Sequence, residues 1–299
     1  MTSLKKRLKP EVKEITLNYL KIISSLPNLE LELLLSKITS LSREQLLAYP
    51  KKNLGLKIFK EFNKLEKKRL ANWPIAYLTG EKNFFKSSFI VSPAVLIPRP
   101  ETEIIVEKTL EEMNKNNLET TVIDIGTGSG AIIISLAKEL IEKEKINFFA
   151  IDISQKALKI AKENIKNHNL EKTITLKNGN LLKPLITDVE KCLKDNKQII
   201  ITANLPYLKP EEMKEISIQK EPKIALLSGK NGLKHYQSLF KQLKALNIKR
   251  NFFLICEINP EQVNDFKELF STTLINMDLE FIKDLNHQKR FALIRTKQL

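Results

Sequence analysis

Apolar residues recur at three- and four-residue steps through the first quarter of the chain, which is the spacing of one helix face. The clearest sets are Val12, Ile15, Tyr19, Ile22; Leu31, Leu34, Leu35, Ile38; and Ile58, Phe62, Leu65. Breaks fall near residues 25–27, 39–42 and 49–55, and Ser42 with Gln45 three residues later is typical of a helix start. The pattern predicts a bundle of four or five helices over residues 1–72.

The pattern changes between Phe84 and Pro98. The stretch FFKSSFIVSPAVLIP mixes aromatic and β-branched residues with serine pairs, which favours a short β-hairpin. The next stretch, ETEIIVEKTLEEM, has helical spacing, and Pro100 suits the first turn of that helix. We therefore expect a hairpin that links two domains.

Beyond Leu118, strand-like and helical segments alternate. The strand-like segments are TVIDI, INFFAIDIS, TITLKNGN, QIIITANLPY, NFFLICEIN and RFALIRT. Near-continuous apolar strands between helices indicate a parallel, doubly wound sheet. With 299 residues, the chain is long enough for two domains. We expect a helical domain over residues 1–80, a hairpin linker over 81–98, and an α/β domain over 99–299.

Composition narrows the class of protein. The sequence has no apolar run of the roughly 20 residues that cross a bilayer, and no secretory signal is visible. The two cysteines, Cys192 and Cys256, are far apart, and the three histidines are scattered. No disulfide framework or metal site is expected, so we predict a cytoplasmic protein without a metal.

The net charge of +15 is concentrated at the N-terminus. Residues 1–80 contain 16 Lys and Arg against 7 Asp and Glu, whereas the other 219 residues contain 34 against 28. Such a basic segment is suited to steering an acidic protein or an RNA. The alternative is that lysines coat solvated helix faces, which the lack of an arginine-rich or aromatic-interleaved cluster favours.

A glycine-rich turn, DIGTGSGA at 124–131, follows the first strand of the α/β region. Glycines at this place let the backbone turn tightly and approach a ligand. Asp152 ends the second strand, 22 residues beyond Gly130, where an acidic residue binds the ribose hydroxyls of an adenosine ligand. Together they predict a nucleoside-bearing cofactor, the alternative being a turn kept for packing.

The type of cofactor follows from two further observations. Gly126, Gly128 and Ala131 match the dinucleotide fingerprint GxGxxG/A, so NAD competes on this motif alone. Gly130, however, makes the turn GxGxG, the tighter loop of S-adenosylmethionine methyltransferases. The tetrapeptide at 204–207 also has no use in a dehydrogenase.

That tetrapeptide, Asn204-Leu205-Pro206-Tyr207, ends the buried strand IIITA. Ligands of open parallel sheets lie at the carboxyl ends of strands, so Asn204 should face the methyl donor. A planar NH₂ group needs two acceptors, which the Asn204 side-chain carbonyl and a backbone carbonyl of the turn supply. Pro206 fixes the turn, and Tyr207 packs on a flat amide or base. The motif predicts methylation of a planar nitrogen.

Several stretches together resemble the release-factor glutamine methyltransferases, the HemK/PrmC family. They are PIAYLTGEKNFF (74–85), VSPAVLIPRPETE (91–103), VIDIGTGSGAIIISLA (122–137), AIDIS (150–154) and EPKIALLSGKNGL (221–233). The similarity covers nearly the whole chain beyond Pro74. The LIPRPETE box is its most specific part, since methyltransferases in general do not share it.

The resemblance implies a seven-stranded, doubly wound, Rossmann-like S-adenosylmethionine methyltransferase domain, preceded by an all-α bundle and a β-hairpin linker. The implied substrate is the glutamine of the Gly-Gly-Gln motif of peptide-chain release factors, methylated on its side-chain amide nitrogen. Residues 1–80 would recognise this protein substrate. The implied enzyme is a monomer that needs neither a membrane nor nucleic acid.

The resemblance also implies roles for residues of the two motifs. The cofactor-binding residues would be Gly126, Thr127, Gly128, Ser129, Gly130, Asp152 and Asn204. Asn204, Leu205, Pro206 and Tyr207 would bind the substrate amide, and Asn204, Pro206 and Tyr207 would be catalytic.

The sequence departs from the family pattern at several positions. Leu205 replaces the usual proline, and Asn180 stands where an aspartate near the adenine is common. The stretch 181–198 is long and charged, and Asn259-Pro260 replaces a glycine-bearing turn. Asn-Leu-Pro-Tyr also occurs in ribosomal RNA adenine dimethylases.

Two alternatives therefore stay open. One is an RNA adenine methyltransferase, which the tetrapeptide and the positive charge favour and the LIPRPETE box disfavours. The other is a non-catalytic release-factor-binding or ribosome-binding module, against which the intact glycine turn, Asp152 and Asn204 argue.

Overall fold

The computed structural model describes residues 14–140 and 145–297. The chain divides into two compact units, Met1–Gly80 and Glu81–Leu299. The part of the predicted helical pattern that includes Val12 lies outside the described residues.

The first unit is helical throughout its described part. Its helices are α1 (Leu17–Ile23), α2 (Asn28–Thr39), α3 (Arg43–Ala48), α4 (Gly55–Leu70) and α5 (Ile75–Thr79). Leu31, Leu34 and Phe62 are fully buried in a shared core, as the three- and four-residue spacing predicts. In α1 the buried residues are Leu17 and Leu20, whereas Ile22 of the predicted set is 74% exposed. Ser42 caps α3 in a reciprocal capping box with Gln45, which confirms that predicted helix start.

The second unit begins with a β-hairpin of strands β1 (Glu81–Phe84) and β2 (Ser87–Ile90), followed by helix α6 (Glu103–Met113). Glu81 pairs with Ile90, so the two strands span residues 81–90, which is the first part of the stretch 81–98 given above to the linker. Residues 91–99 form a loop that leads into α6.

Within the described residues of the second unit, seven further strands form one sheet in the order β5-β4-β3-β6-β7-β9-β8. They are β3 (Thr120–Ile125), β4 (Ile146–Asp152), β5 (Ile174–Asn178), β6 (Gln198–Ala203), β7 (Phe252–Glu257), β8 (Met277–Lys283) and β9 (Lys289–Thr296). β3 to β7 are parallel, but β9 is antiparallel to β7 and to β8. The predicted parallel arrangement therefore holds for β3 to β7, and the antiparallel β9 makes the complete sheet mixed.

Helices cover both faces of this sheet. Besides α6 they are α7 (Ala131–Glu139), α8 (Gln155–Asn167), α9 (Ile186–Lys194), α10 (Lys234–Ala245) and α11 (Val263–Thr273). Along β6, Ile199 and Ile201 face one core while Ile200 faces the other. This alternation with burial on both sides confirms the predicted doubly wound arrangement.

Two elements are absent from the sequence prediction. Strand β8 lies at the sheet edge, where its alternate side chains are exposed and charged, so it lacks a continuous apolar run. Helix α9 occupies the charged stretch 181–198 and buries Val189 on its inner face. Both elements are stabilised by packing against the sheet, and neither has a strong apolar pattern in its own sequence.

The centre of the sheet determines where the site lies. β3 pairs with β4 on one side and with β6 on the other, which confirms that the strand before the tetrapeptide neighbours the strand before the glycine turn. Because these strands are parallel, their carboxyl ends meet at one edge. Among the described helices, none is long and apolar enough to cross a membrane.

Candidate active site

A cavity of about 360 Å³ opens at the carboxyl ends of β3, β4 and β6. Of the predicted cofactor-binding residues, it is lined by Gly126, Thr127, Gly128, Ser129, Asp152 and Asn204. Gly130 is not part of the lining; its backbone has a φ of 82° and begins α7. Folding thus brings the glycine turn, the acidic residue and the tetrapeptide to one place.

The glycine turn is held by contacts that leave its surface free for a ligand. Gly126 and Gly128 have φ values of 72° and 56°, which side chains rarely tolerate. Asn164 on α8 is buried, and its Nδ2 donates to the Ser129 carbonyl over 2.8 Å. The same side chain bonds both backbone groups of Ile90, so one asparagine joins the hairpin to the turn.

Asp152 ends β4 beside this turn. Its Oδ2 accepts from the Gly128 N–H over 2.9 Å, and its Oδ1 accepts from the Ser154 N–H over 2.8 Å. Burial raises the pKa of Asp152, while those backbone donors act in the opposite direction. Each carboxylate oxygen keeps one lone pair, so the group can still accept ribose hydroxyls.

Two polar atoms near the turn lack partners. The Thr127 Oγ1 atom and the Asp124 Oδ2 atom are buried without a hydrogen-bond partner among the described residues. Asp124 accepts from Thr202 through its other oxygen, and burial raises its pKa to about 6. Thr127 also lines the cavity. The Thr127 hydroxyl nevertheless lowers the pKa of Asp124, so the two groups lie beside each other and need no ligand to account for them. The lone pairs left on Asp152 are the feature here that fits the ribose of S-adenosylmethionine.

Sequence reasoning missed most residues beyond Asp152 in the lining. Ile153, Gly179 and Leu181 lie there together with Asn180, the position already noted as a departure from the family pattern. A methyl group on Gly179 would lie 2.2 Å from Pro184 Cγ, so only glycine fits there. The short string KNGN at 177–180 was the available signal.

The tetrapeptide turn lies between this cavity and a smaller one of about 170 Å³. Asn204, Leu205 and Pro206 line both, whereas Tyr207 lines the smaller cavity. Leu205 is buried against the glycine turn, since a methyl group on Gly126 would lie 3.1 Å from Leu205 Cδ2. Asn204 is thus positioned where the two cavities meet.

Three buried side chains outside the predicted set hold the turn. The Gln262 Nε2 donates to the Tyr207 carbonyl over 2.8 Å. The Tyr207 hydroxyl donates to Glu257 Oε1 over 3.3 Å, and the Asn204 Nδ2 donates to Thr102 Oγ1 over 3.1 Å. Burial raises the pKa values of Glu257 and Tyr207.

Tyr236 joins the ends of two strands below the turn. Its hydroxyl lies 3.2 Å from the carbonyl of Ala203, the last residue of β6, and 2.5 Å from that of Glu257 at the end of β7. The side chain is fully buried. We infer that Tyr236 is structural.

Arg99 lines both cavities and forms an ion pair with the buried Glu221. Glu221 also accepts from the Ile97 N–H over 3.1 Å. Arg99 therefore lies at the mouth of the site and also anchors the end of the loop at 91–99. His235 lines the larger cavity, and its Nε2 lies 3.3 Å from the Leu227 carbonyl.

Both units match known protein families. Residues 18–80 match the PrmC N-terminal domain. Residues 116–289 match a methyltransferase domain. Among solved structures, the hMettl16 catalytic domain in complex with the MAT2A 3'UTR hairpin 6 has a TM-score of 0.53 and 16% identity, covering 70% of this chain and 74% of that one. That similarity confirms the methyltransferase fold.

Relatives of similar length carry one name. The release factor glutamine methyltransferase of Moorella thermoacetica is 37% identical over 81% of this chain and 82% of its own. The enzyme of that name from Bacillus subtilis is 33% identical over 87% and 88%. A bifunctional methyltransferase of Rickettsia typhi is 33% identical over 90% of this chain, which spans 54% of that longer protein.

These matches confirm the resemblance that the glycine turn and the LIPRPETE box predicted. They also confirm that the protein is a methyltransferase whose cofactor is S-adenosylmethionine. The chain therefore belongs to the release factor glutamine methyltransferase family.

Proposed function

We propose that the protein methylates the side-chain amide nitrogen of the glutamine in the Gly-Gly-Gln motif of peptide-chain release factors. The observation that carries the proposal is the position of Asn204 where the two cavities meet. The larger cavity takes the cofactor, and the smaller one takes the glutamine side chain. S-adenosylmethionine, when bound, supplies the electrophilic methyl group on its sulfonium.

The cofactor is held by the residues that line the larger cavity. Gly126, Thr127, Gly128 and Ser129 surround its methionine and ribose part, and Asp152 accepts the ribose hydroxyls. Gly130 sets the direction of α7 behind them. Asn180 and the apolar residues around it would receive the adenine.

The tetrapeptide orients the substrate. The Asn204 side-chain carbonyl and a backbone carbonyl of the turn accept the two N–H groups of the glutamine amide. Leu205 and Pro206 shape the turn, and Tyr207 packs against the amide plane. Positioning is the main contribution of the protein, worth up to about 7–11 kcal/mol in favourable cases. No strong base is needed, because alkylation makes the nitrogen acidic and its proton leaves to solvent.

The helical unit supplies affinity for the protein substrate in this proposal. Its sixteen-residue helix α4 presents exposed lysines at 57, 60 and 64, which lie along one side of the helix. A basic face of this kind is complementary to an acidic surface of a partner protein. The unit contributes no residue to the chemistry.

The test is single-turnover methyl transfer by wild type and Asn204→Ala, with mass spectrometry to locate the methyl group. Wild type should modify the glutamine of the release factor and fail on a release factor that carries Gly-Gly-Glu instead. Asn204→Ala should slow transfer by about 100-fold or more while cofactor affinity changes little. Transfer to adenine in RNA, or normal transfer by Asn204→Ala, would overturn the proposal.

A further inference from the structure

A chain of hydrogen bonds runs behind the Asn204 amide into the protein. The Asn204 Nδ2 donates to Thr102 Oγ1 over 3.1 Å, and the Thr102 hydroxyl donates to Glu257 Oε2 over 2.6 Å. The Tyr207 hydroxyl donates to the other oxygen of Glu257. Thr102 is 3% exposed and Glu257 is 2% exposed, so water does not substitute for these partners.

Because the Thr102 hydroxyl has a single proton, the direction of each hydrogen bond in this chain is fixed. A threonine hydroxyl has one proton, and Thr102 gives that proton to the acceptor Glu257. Thr102 Oγ1 then offers only lone pairs to its other neighbour. The group of Asn204 that faces Thr102 must therefore be the NH₂ group, and the carbonyl oxygen of the amide must face the cavities.

We propose that Thr102 and Glu257 are positioning residues that set which end of the Asn204 amide faces the substrate. With the carbonyl oxygen outward, Asn204 accepts from the glutamine NH₂. With the amide turned over, two NH₂ groups would face each other, and neither would find an acceptor. The hydrogen-bonded chain from Asn204 through Thr102 to Glu257, which we call the relay, selects the productive orientation of the amide before the substrate arrives. The amide then need not reorient during the reaction, and this preorganisation raises the rate.

The relay also gives two sequence segments a function. Thr102 belongs to the LIPRPETE box at 96–103, the part of the sequence most specific to the family. Glu257 is the last residue of β7 and precedes the turn INPEQ. These residues meet because the loop after the hairpin crosses the carboxyl ends of β6 and β7. Thr102 lines the larger cavity and Glu257 the smaller.

The inference rests on the proposed role of Asn204, and a double-mutant cycle tests it separately. The variants are Thr102→Val, which removes the hydroxyl at nearly constant volume, Asn204→Ala, and both together. Thr102→Ser keeps the hydroxyl and is the rescue control. Single-turnover transfer to the release factor, cofactor Kd and thermal unfolding are measured for each. Thr102→Ala gives the same cycle if valine disturbs folding.

Thr102→Val should slow transfer by about 10- to 100-fold and change cofactor Kd far less, since Thr102 is one of many residues that line the larger cavity. Thr102→Ser should stay within about threefold of wild type. In the Asn204→Ala background, removing the hydroxyl should have no further effect, because the group that it orients is gone. A purely structural role would slow the double variant further.

Additive losses, normal transfer by Thr102→Val, or a slow Thr102→Ser would each overturn the inference while the proposed function stands. Normal transfer by Asn204→Ala alone would instead overturn both, because the relay would then have nothing to orient. The two failures are thus distinguishable in one data set.

Discussion

The carboxylate of Asp152 accepts a hydrogen bond of 2.9 Å from the backbone N–H of Gly128. This bond joins the end of β4 to the glycine turn after β3, so the residue that we propose accepts the ribose also shapes the neighbouring loop. The affinity for the cofactor should therefore depend on Asp152 in two ways, through its contact with the ribose and through its hydrogen bond to Gly128.

Asp152→Ala should weaken S-adenosylmethionine binding by roughly 1.5–3 kcal/mol, about 10- to 150-fold in Kd, because ribose hydroxyls and the Gly128 N–H lose a charged acceptor. Asp152→Asn, which keeps one acceptor oxygen, should lose less. Isothermal titration calorimetry measures both, with Asp188→Ala on the exposed face of α9 as control. An Asp152→Ala protein with wild-type affinity would contradict the assignment.

Gly232 is packed against Gln262 and the Tyr207 carbonyl, the hydrogen-bonded pair that holds the tetrapeptide turn. A methyl group there would lie 2.0 Å from Gln262 Nε2 and 2.3 Å from the Tyr207 carbonyl, and the φ of Gly232 is 73°. Gly232→Ala should lower the free energy of unfolding by about 2–4 kcal/mol and slow methyl transfer, because the turn must move.

The matched control for that variant is Gly55→Ala. Gly55 has a φ of 80°, but nothing lies within 4 Å of the added methyl group. Gly55→Ala should lower the free energy of unfolding only by the backbone strain, about 1–2 kcal/mol, and leave methyl transfer unchanged. Equal losses of stability and activity at the two positions would show that contact with Gln262 and Tyr207 is irrelevant.

The transfer rate should fall as pH decreases through the pKa of Glu257, which burial raises above the usual glutamate value. Protonated Glu257 can donate to Thr102, whose proton then faces Asn204 and favours the overturned amide. The groups around Glu257 are Thr102, Tyr207, Glu101 and Arg290, and the charge of Arg290 favours the ionised form. Rates are measured at saturating cofactor, since burial raises the pKa of Asp124, next to the glycine turn, to about 6.

Protonation of Glu257 does not itself destabilise the fold. A carboxyl whose folded-state pKa is raised binds its proton more tightly when folded, so its contribution to stability is largest at low pH and falls as pH rises through that pKa. Glu257→Gln should remove the low-pH decrease that Glu257 causes. If its profile matches that of wild type, Glu257 does not control the rate.

Charge reversal on α4 should weaken recognition of the protein substrate. Replacing Lys57, Lys60 and Lys64 with glutamate should raise KM for the release factor by about tenfold and leave cofactor Kd unchanged. The matched control reverses the exposed lysines 159, 162 and 166, which have the same spacing on α8. Equal effects of the two triples would mean that total charge matters and that the α4 face does not.

The sequence alone determined the features that depend on local spacing. Three- and four-residue periodicity located the helices of the first unit, and continuous apolar runs located β3, β4 and β6. The glycine turn and Asp152 predicted the cofactor because strand, turn and helix are consecutive in the chain. These signals are local, since each arises from backbone conformation and the burial of neighbouring residues.

Only the tertiary structure decided which distant residues meet. Thr102 lies 102 residues from Asn204 and 155 residues from Glu257, yet the three side chains form one relay. The spacing of apolar residues in the sequence cannot predict such a contact, because the contact depends on how the loop at 91–99 crosses the sheet. Edge strand β8 and the antiparallel direction of β9 escaped prediction for a related reason. Strand direction and pairing are set by the partner strand, whereas the residue pattern reports only burial.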